Sequence, residues 1–277
     1  MNWKSILTIA RKDLKEATQN KSVWLPMLVI PIMFVVLLPV VMILVVGSAG
    51  SASQSMLSDP DMATFFARMP EVMKESLAGL NAIQSGIVMM LGYFFAPFFL
   101  IMPLMYSTVI AAESFAGERE RKTVEALLYT PVKDAELFIG KVLASFIPAV
   151  LITLGSFLVY IIVLNTFGYR IMGRVWFPLP NWYALILWVS PAISLLGTAF
   201  TVLISTKVQT FMGAYQSSAS LVVLVLGLLA GQATGVLYLS PLVSLLLGAG
   251  IWLVDVILVY FAVKSFNRAK LIASAGS

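Results

Sequence analysis

Long apolar runs with almost no charged side chains alternate, along this chain, with short stretches in which the charges are gathered. Six runs reach the roughly 20 residues that a helix needs to cross the hydrocarbon of a bilayer. They cover about 23–46, 86–112, 137–164, 183–205, 210–230 and 242–263. Prolines punctuate them: Pro26, Pro31 and Pro39 in the first, Pro97 and Pro103 in the second, and Ser190-Pro191 in the fourth. Each removes an amide from the helical ladder and predicts a bend. Ahead of the first run, residues 1–22 place Trp3, Ile6, Leu7, Ala10 and Leu14 on one face, with Lys4, Arg11, Lys12 and Lys15 mostly off it. That is the pattern of a helix lying in the membrane interface.

The connections differ in kind. Residues 47–85 open on Gly, Ser and Ala, and their Phe65, Phe66, Met69, Val72 and Met73 suggest short amphipathic helices. In 165–182, Tyr169, Trp176, Trp182 and the adjoining Tyr183 are placed for an aromatic belt at the membrane surface. Residues 231–239 are too short and glycine-rich for a span and read as a short re-entrant or surface segment. Helix resumes at Ser240-Pro241, a cap residue followed by proline at the first helical position.

Composition agrees with the pattern. Hydrophobic residues make up 60% and charged residues 11% of the chain, where soluble domains carry about 25% charge. The expectation is an all-α integral membrane protein of six transmembrane helices. Its 277 residues leave no room for a further soluble domain, so 1–277 reads as a single unit. Cysteine and histidine are both absent, which removes disulfides, thiol nucleophiles, histidine bases and the usual zinc sets, and no metal site is expected. The N-terminus does not resemble a cleaved signal peptide. The basic isoelectric point does not indicate nucleic acid, because the positive charges sit in short loops beside the spans. With six spans, 14 Lys and Arg fall on one side and four on the other. The positive-inside rule therefore predicts both termini in the cytosol and a multi-pass protein of the cell (plasma) membrane.

The chain is organised around residues 113–141, which hold eleven charged side chains. Glu118 with Lys122 and Arg121 with Glu125 are opposite charges four residues apart, as on a helix surface, beside an apolar edge of Val124, Leu127 and Leu128. Pro131 ends that helix by pushing Thr130 out of helical conformation, and Asp134 is placed to cap the next one, with Glu136 in its first turn. A helix lying on lipid headgroups is the plainer reading. The acids Glu118, Glu120, Glu125 and Asp134 argue against an anionic leaflet and for a protein socket.

The run Glu113, Gly117-Glu118-Arg119-Glu120-Arg121-Lys122-Thr123-Val124-Glu125, Leu128, Thr130-Pro131-Val132 and Gly140-Lys141 resembles the signature between the second and third spans of ABC-2 type permeases, the membrane subunits of ABC exporters. The resemblance implies that 113–136 is a cytosolic coupling loop whose helix docks on a separate ATPase. Glu113, Gly117, Glu118, Arg119, Glu120, Arg121, Thr123, Glu125, Leu128 and Pro131 are its candidate residues. It also implies an ABC-2 transmembrane domain working as two permease copies, a homodimer or related heterodimer, with two soluble ATPase subunits that bind ATP and Mg. The chain itself carries no G-x-x-x-x-G-K-[ST] phosphate loop, so it is expected neither to bind a cofactor nor to act as an enzyme.

Candidate pathway residues follow from polarity inside spans. Gln209, Gln216 and Ser220 share a face of span five with Gly213, Gly227 and Gly231, which suits either a cavity wall or close helix packing. Asp255 is the only carboxylate inside span six. It is either an ion or cargo site or a structural group paired with a hydroxyl or held neutral. An ATP-independent transporter or channel using Asp255 is the alternative, against which stands the absence of inverted halves.

Overall fold

The structure, a computed structural model, describes residues 2–48, 69, 71–121, 123, 132–234 and 237–265. Among them every regular element is helical. An N-terminal helix, Trp3–Gln19, precedes six apolar helices long enough to span a membrane: Val23–Ser48, Ala82–Glu120, Asp134–Met172, Pro180–Ser205, Phe211–Ala233 and Pro241–Lys264. Spans two and four form the centre, 78% and 72% buried, whereas spans one, five and six are each 17% buried. Span four packs on spans two and six, and span three packs on span two and the N-terminal helix.

Three of the prolines are met by wide turns. Segments Ile32–Leu37, Val88–Phe94 and Leu185–Val189 have π-helical bonding, and each lies just ahead of a proline: Pro39, Pro97 and Pro191. A proline has no N–H and its ring crowds the carbonyl one turn back, so the preceding turn widens. In span two this frees carbonyls inside the bundle. Tyr160 donates to the Leu91 carbonyl at 2.9 Å, Trp182 to Gly92 at 2.7 Å and Gln232 to Tyr93 at 2.7 Å. Spans three, four and five thus each satisfy one carbonyl of span two, as buried backbone requires. Around these bonds Phe95, Phe99, Phe157, Tyr160, Phe177 and Trp182 form an aromatic core, with Phe177 and Trp182 ring centres 5.0 Å apart.

Several sequence expectations need correction. Spans two and three are longer than their hydropathy suggested, because both helices continue through charged sequence that is paired inside the protein. Of the four belt aromatics, Tyr169 and Tyr183 are exposed, but Trp176 and Trp182 are buried in the core, where Trp182 serves span two. The inward file of the N-terminal helix is Ile6, Ile9, Asp13 and Ala17, while Trp3 and Leu7 are exposed. Lys133, not Asp134, is the N-cap of span three, because the helix begins at Asp134, one residue earlier than expected. Span five is interrupted at Ser220 and Leu221. Residues 237–240 form a short non-helical connection with Tyr238 and Leu239 buried. A helix covers Glu71–Leu77, and Met69 and Met73 are buried, whereas Phe65 and Phe66 lie outside the described residues.

Candidate functional site

The charged residues converge at one end of the bundle, on both sides of the loop that follows span two. The local cause is a fourth π segment, Glu113–Gly117, which turns Glu113, Ser114 and Glu118 inward. Gly117 has no room for a side chain, since a Cβ there would lie 2.9 Å from the Glu113 carboxylate. From the N-terminal helix, Asp13 arrives on the same file as Ile9 and Ala17. Span three supplies Lys141. Its neighbour Gly140 lets the N-terminal helix come close, because a Cβ would meet Ile9 at 2.9 Å and the Ile6 carbonyl at 3.1 Å.

Lys141 is the hub. Its ammonium, almost wholly enclosed, donates to Asp13 Oδ2 at 3.0 Å, Glu118 Oε2 at 2.6 Å and the Ser114 carbonyl at 2.6 Å. The Phe115 ring lies 5.5 Å from it, within range of a cation–π contact. Ser114 donates to Asp13, and Lys12 closes the network by bonding Glu118. Lys12 also lies 3.4 Å from Asp13 and 3.2 Å from Glu16. Burial works against the Lys12 ammonium, but Glu118, Asp13 and Glu16 outweigh it and raise its pKa above the usual lysine range. Asp13, Glu16 and Glu118 bring their oxygens within 4.8 Å of one another, a spacing that suits a metal ion. Lys12 bridges all three, so an ammonium already supplies the positive charge there.

Further contacts extend the knot to the other spans. Glu113 accepts from Arg121 at 2.6 Å and from Asn20 at 3.2 Å. Burial opposes the charge of Arg121, yet Glu113, Glu16 and Glu118 raise its pKa overall. Arg119 donates to the Ser205 carbonyl at the end of span four at 2.6 Å, and Glu120 accepts the Phe211 amide at the start of span five at 2.8 Å. Glu136 accepts the Asn2 amide at 2.7 Å, joining the start of the N-terminal helix to the start of span three. Thr123 donates to the Glu118 carbonyl at 3.1 Å.

Seven predicted residues, Glu113, Gly117, Glu118, Arg119, Glu120, Arg121 and Thr123, therefore meet at one end. Glu125, Leu128, Pro131 and the middle of the expected helix lie outside the described residues. Glu118 turns inward to Lys12 and Lys141, and Arg121 binds Glu113 and Glu16, whereas the expected partners Lys122 and Glu125 lie outside the described residues. Glu113 reaches the end of the N-terminal helix through Asn20, while Arg119 goes to span four. Sequence reasoning missed Asp13, Lys12, Ser114 and Lys141 as one cluster. The signal was Asp13 itself, a charge standing in an apolar file of i, i+4 residues. The pathway candidates divide: Gln216 and Ser220 are exposed on span five, Gln209 is exposed in the connection ahead of that helix rather than on it, and Asp255 is buried on span six against span four.

Six apolar helices, two of them buried at the centre, make this a multi-pass membrane protein. The model of the ABC-2 family transporter proteins matches residues 7–266, so the chain belongs to that family and is a transmembrane permease of the ABC transporter class. No curated protein and no solved structure matches it significantly.

Proposed function

We propose that this chain is the membrane subunit of an ATP-driven exporter in the cell membrane, with its charged end in the cytosol and a separate ATPase docked on the loop after span two. The observation that carries this reading is the Lys141 knot. It ties the last turns of span two, the first turns of span three and the N-terminal helix together, at both roots of the loop. A force applied to the loop then moves three helices as one body. Packed interiors transmit strain rather than absorb it.

ATP and Mg are bound by the partner, and two permease copies with two ATPase subunits make the working unit. In that assembly the outward face of span five, with Gln216 and Ser220 and with Gln209 just ahead of the helix, lines the pathway, since polar groups exposed on a span require water or another protein surface. Alternating access follows from nucleotide-driven motion at the loop. Family membership favours this reading over an ATP-independent carrier.

The test is copurification. Tagged chain should bring down a soluble ATPase with phosphate-loop motifs, and scrambling residues 122–130 should abolish capture while the permease still folds. Undiminished capture after scrambling contradicts the docking site.

A further inference from the structure

Asp255 is fully buried, and neither of its carboxylate oxygens has a hydrogen-bond partner. It stands on the inward file of span six with Ser244, Gly248 and Ala262, whereas Leu253, Val256 and Ile257 on either side are exposed.

Contacts with span four fix its level. The Trp188 ring lies against Gly248, and Val202 and Ala262 share one cluster. Both pairs are 60 positions apart, so the two helices run parallel in constant register. Asp255 is then level with Leu195, between the Ser194 and Thr198 turns of span four.

Both of those hydroxyls are fully buried and have committed their protons. Ser194 donates to the Ser190 carbonyl at 3.0 Å and Thr198 to the Ser194 carbonyl at 2.9 Å. They offer oxygen lone pairs rather than donors. No cation among the described residues fills the gap. Span four, including its π segment and first turn, carries no Lys, Arg, Asp or Glu, and its one titratable group, Tyr183, is exposed. On span six itself Tyr260 is exposed, and Lys264 lies nine residues on, roughly 14 Å along the helix. A carboxyl group enclosed in a membrane bundle needs a compensating positive charge.

We propose that Asp255, with the hydroxyl oxygens of Ser194 and Thr198, is a site for one monovalent cation taken from solvent, either a proton or an alkali-metal ion. A single carboxylate sets the charge of the occupant at one. The site lies between spans four and six, away from the charged knot, and does not depend on where the ATPase docks.

The test uses the full chain purified in lipid nanodiscs, with thermal unfolding as the readout. One series replaces choline chloride by sodium chloride at fixed pH and ionic strength. The other raises pH in choline alone, with the infrared band of a carboxylic acid followed in parallel. An alkali ion raises the wild-type midpoint in the first series, and Ser194→Ala with Thr198→Val weakens the apparent sodium affinity by about tenfold or more. A proton lowers the midpoint with rising pH in the second series, and wild type shows an acid carbonyl band that Asp255→Asn lacks. Asp255→Asn is flat in both. The double hydroxyl variant and the wild-type infrared band keep the test valid even if Asp255→Asn does not fold. A wild type insensitive to both sodium and pH, without the acid band, overturns the proposal.

Discussion

Replacing Lys141 by Met keeps the length of the side chain and removes the charge at the hub. Asp13 and Glu118, both almost fully enclosed, lose the ammonium that lies 3.0 and 2.6 Å away. Breaking a buried ion pair by removing one partner costs about 3–5 kcal/mol, because the remaining charge stays desolvated. Lys12 still reaches both acids from a half-exposed position, which puts the expectation at the lower end, about 3 kcal/mol. The cost falls on the docking of the N-terminal helix, since Asp13 is its contribution to the knot. Amide hydrogen exchange over residues 3–19 should lose about 100-fold of its protection, at 1.4 kcal/mol per factor of ten. Combining Lys141→Met with Asp13→Leu removes one stranded acid and should restore part of that loss, the non-additivity expected of residues in one network. Protection in Lys141→Met within about threefold of wild type, at uniform exchange elsewhere, would refute the hub.

Gly140→Leu should undock the same helix by a different route, since a side chain there meets Ile9 and the Ile6 carbonyl; overpacking of about 1–3 kcal/mol should appear as lost protection over residues 3–19. Gln232→Leu should lower the thermal midpoint by stranding the Tyr93 carbonyl, at a cost of about 1–3 kcal/mol, whereas Gln216→Leu on the exposed face of span five should leave the midpoint unchanged. The raised pKa of Lys12 makes its contribution complete below the unfolded lysine value of about 10.4 and lost only as pH rises through the folded value. After correction for intrinsic rates, protection of the N-terminal helix should not fall through this group between about pH 6 and pH 9, and a fall there in wild type that Lys12→Met lacks would contradict the assignment.

The spans were legible because a bilayer leaves the backbone few options, and uncharged runs of sufficient length become helices almost regardless of detail. The charged signature was legible as well, down to seven residues that now share one end of the bundle. Its long-range pairing was not. Spacing along one helix says nothing of Lys12 and Lys141, the residues more than 20 positions away that Glu118 binds. Periodicity reports that a face is buried without reporting what buries it: the face read as interfacial, from Trp3 to Leu14, shares only Ile6 with the file of Ile9, Asp13 and Ala17 that packs on the protein. The tryptophans show the same limit. Trp182 has the composition of a membrane-surface residue, yet Pro97 frees carbonyls in span two, and a buried indole N–H is well suited to satisfy one of them.

The central claim, that the loop after span two is the seat of a separate ATPase, is tested most directly by photo-crosslinking in cells. A crosslinker replacing Tyr129 should trap a soluble ATPase, identified by its phosphate-loop motifs, and one replacing Tyr169, exposed at the far end of span three, should not. Adducts to lipid alone at position 129, or the same ATPase trapped equally at 169, would contradict the account.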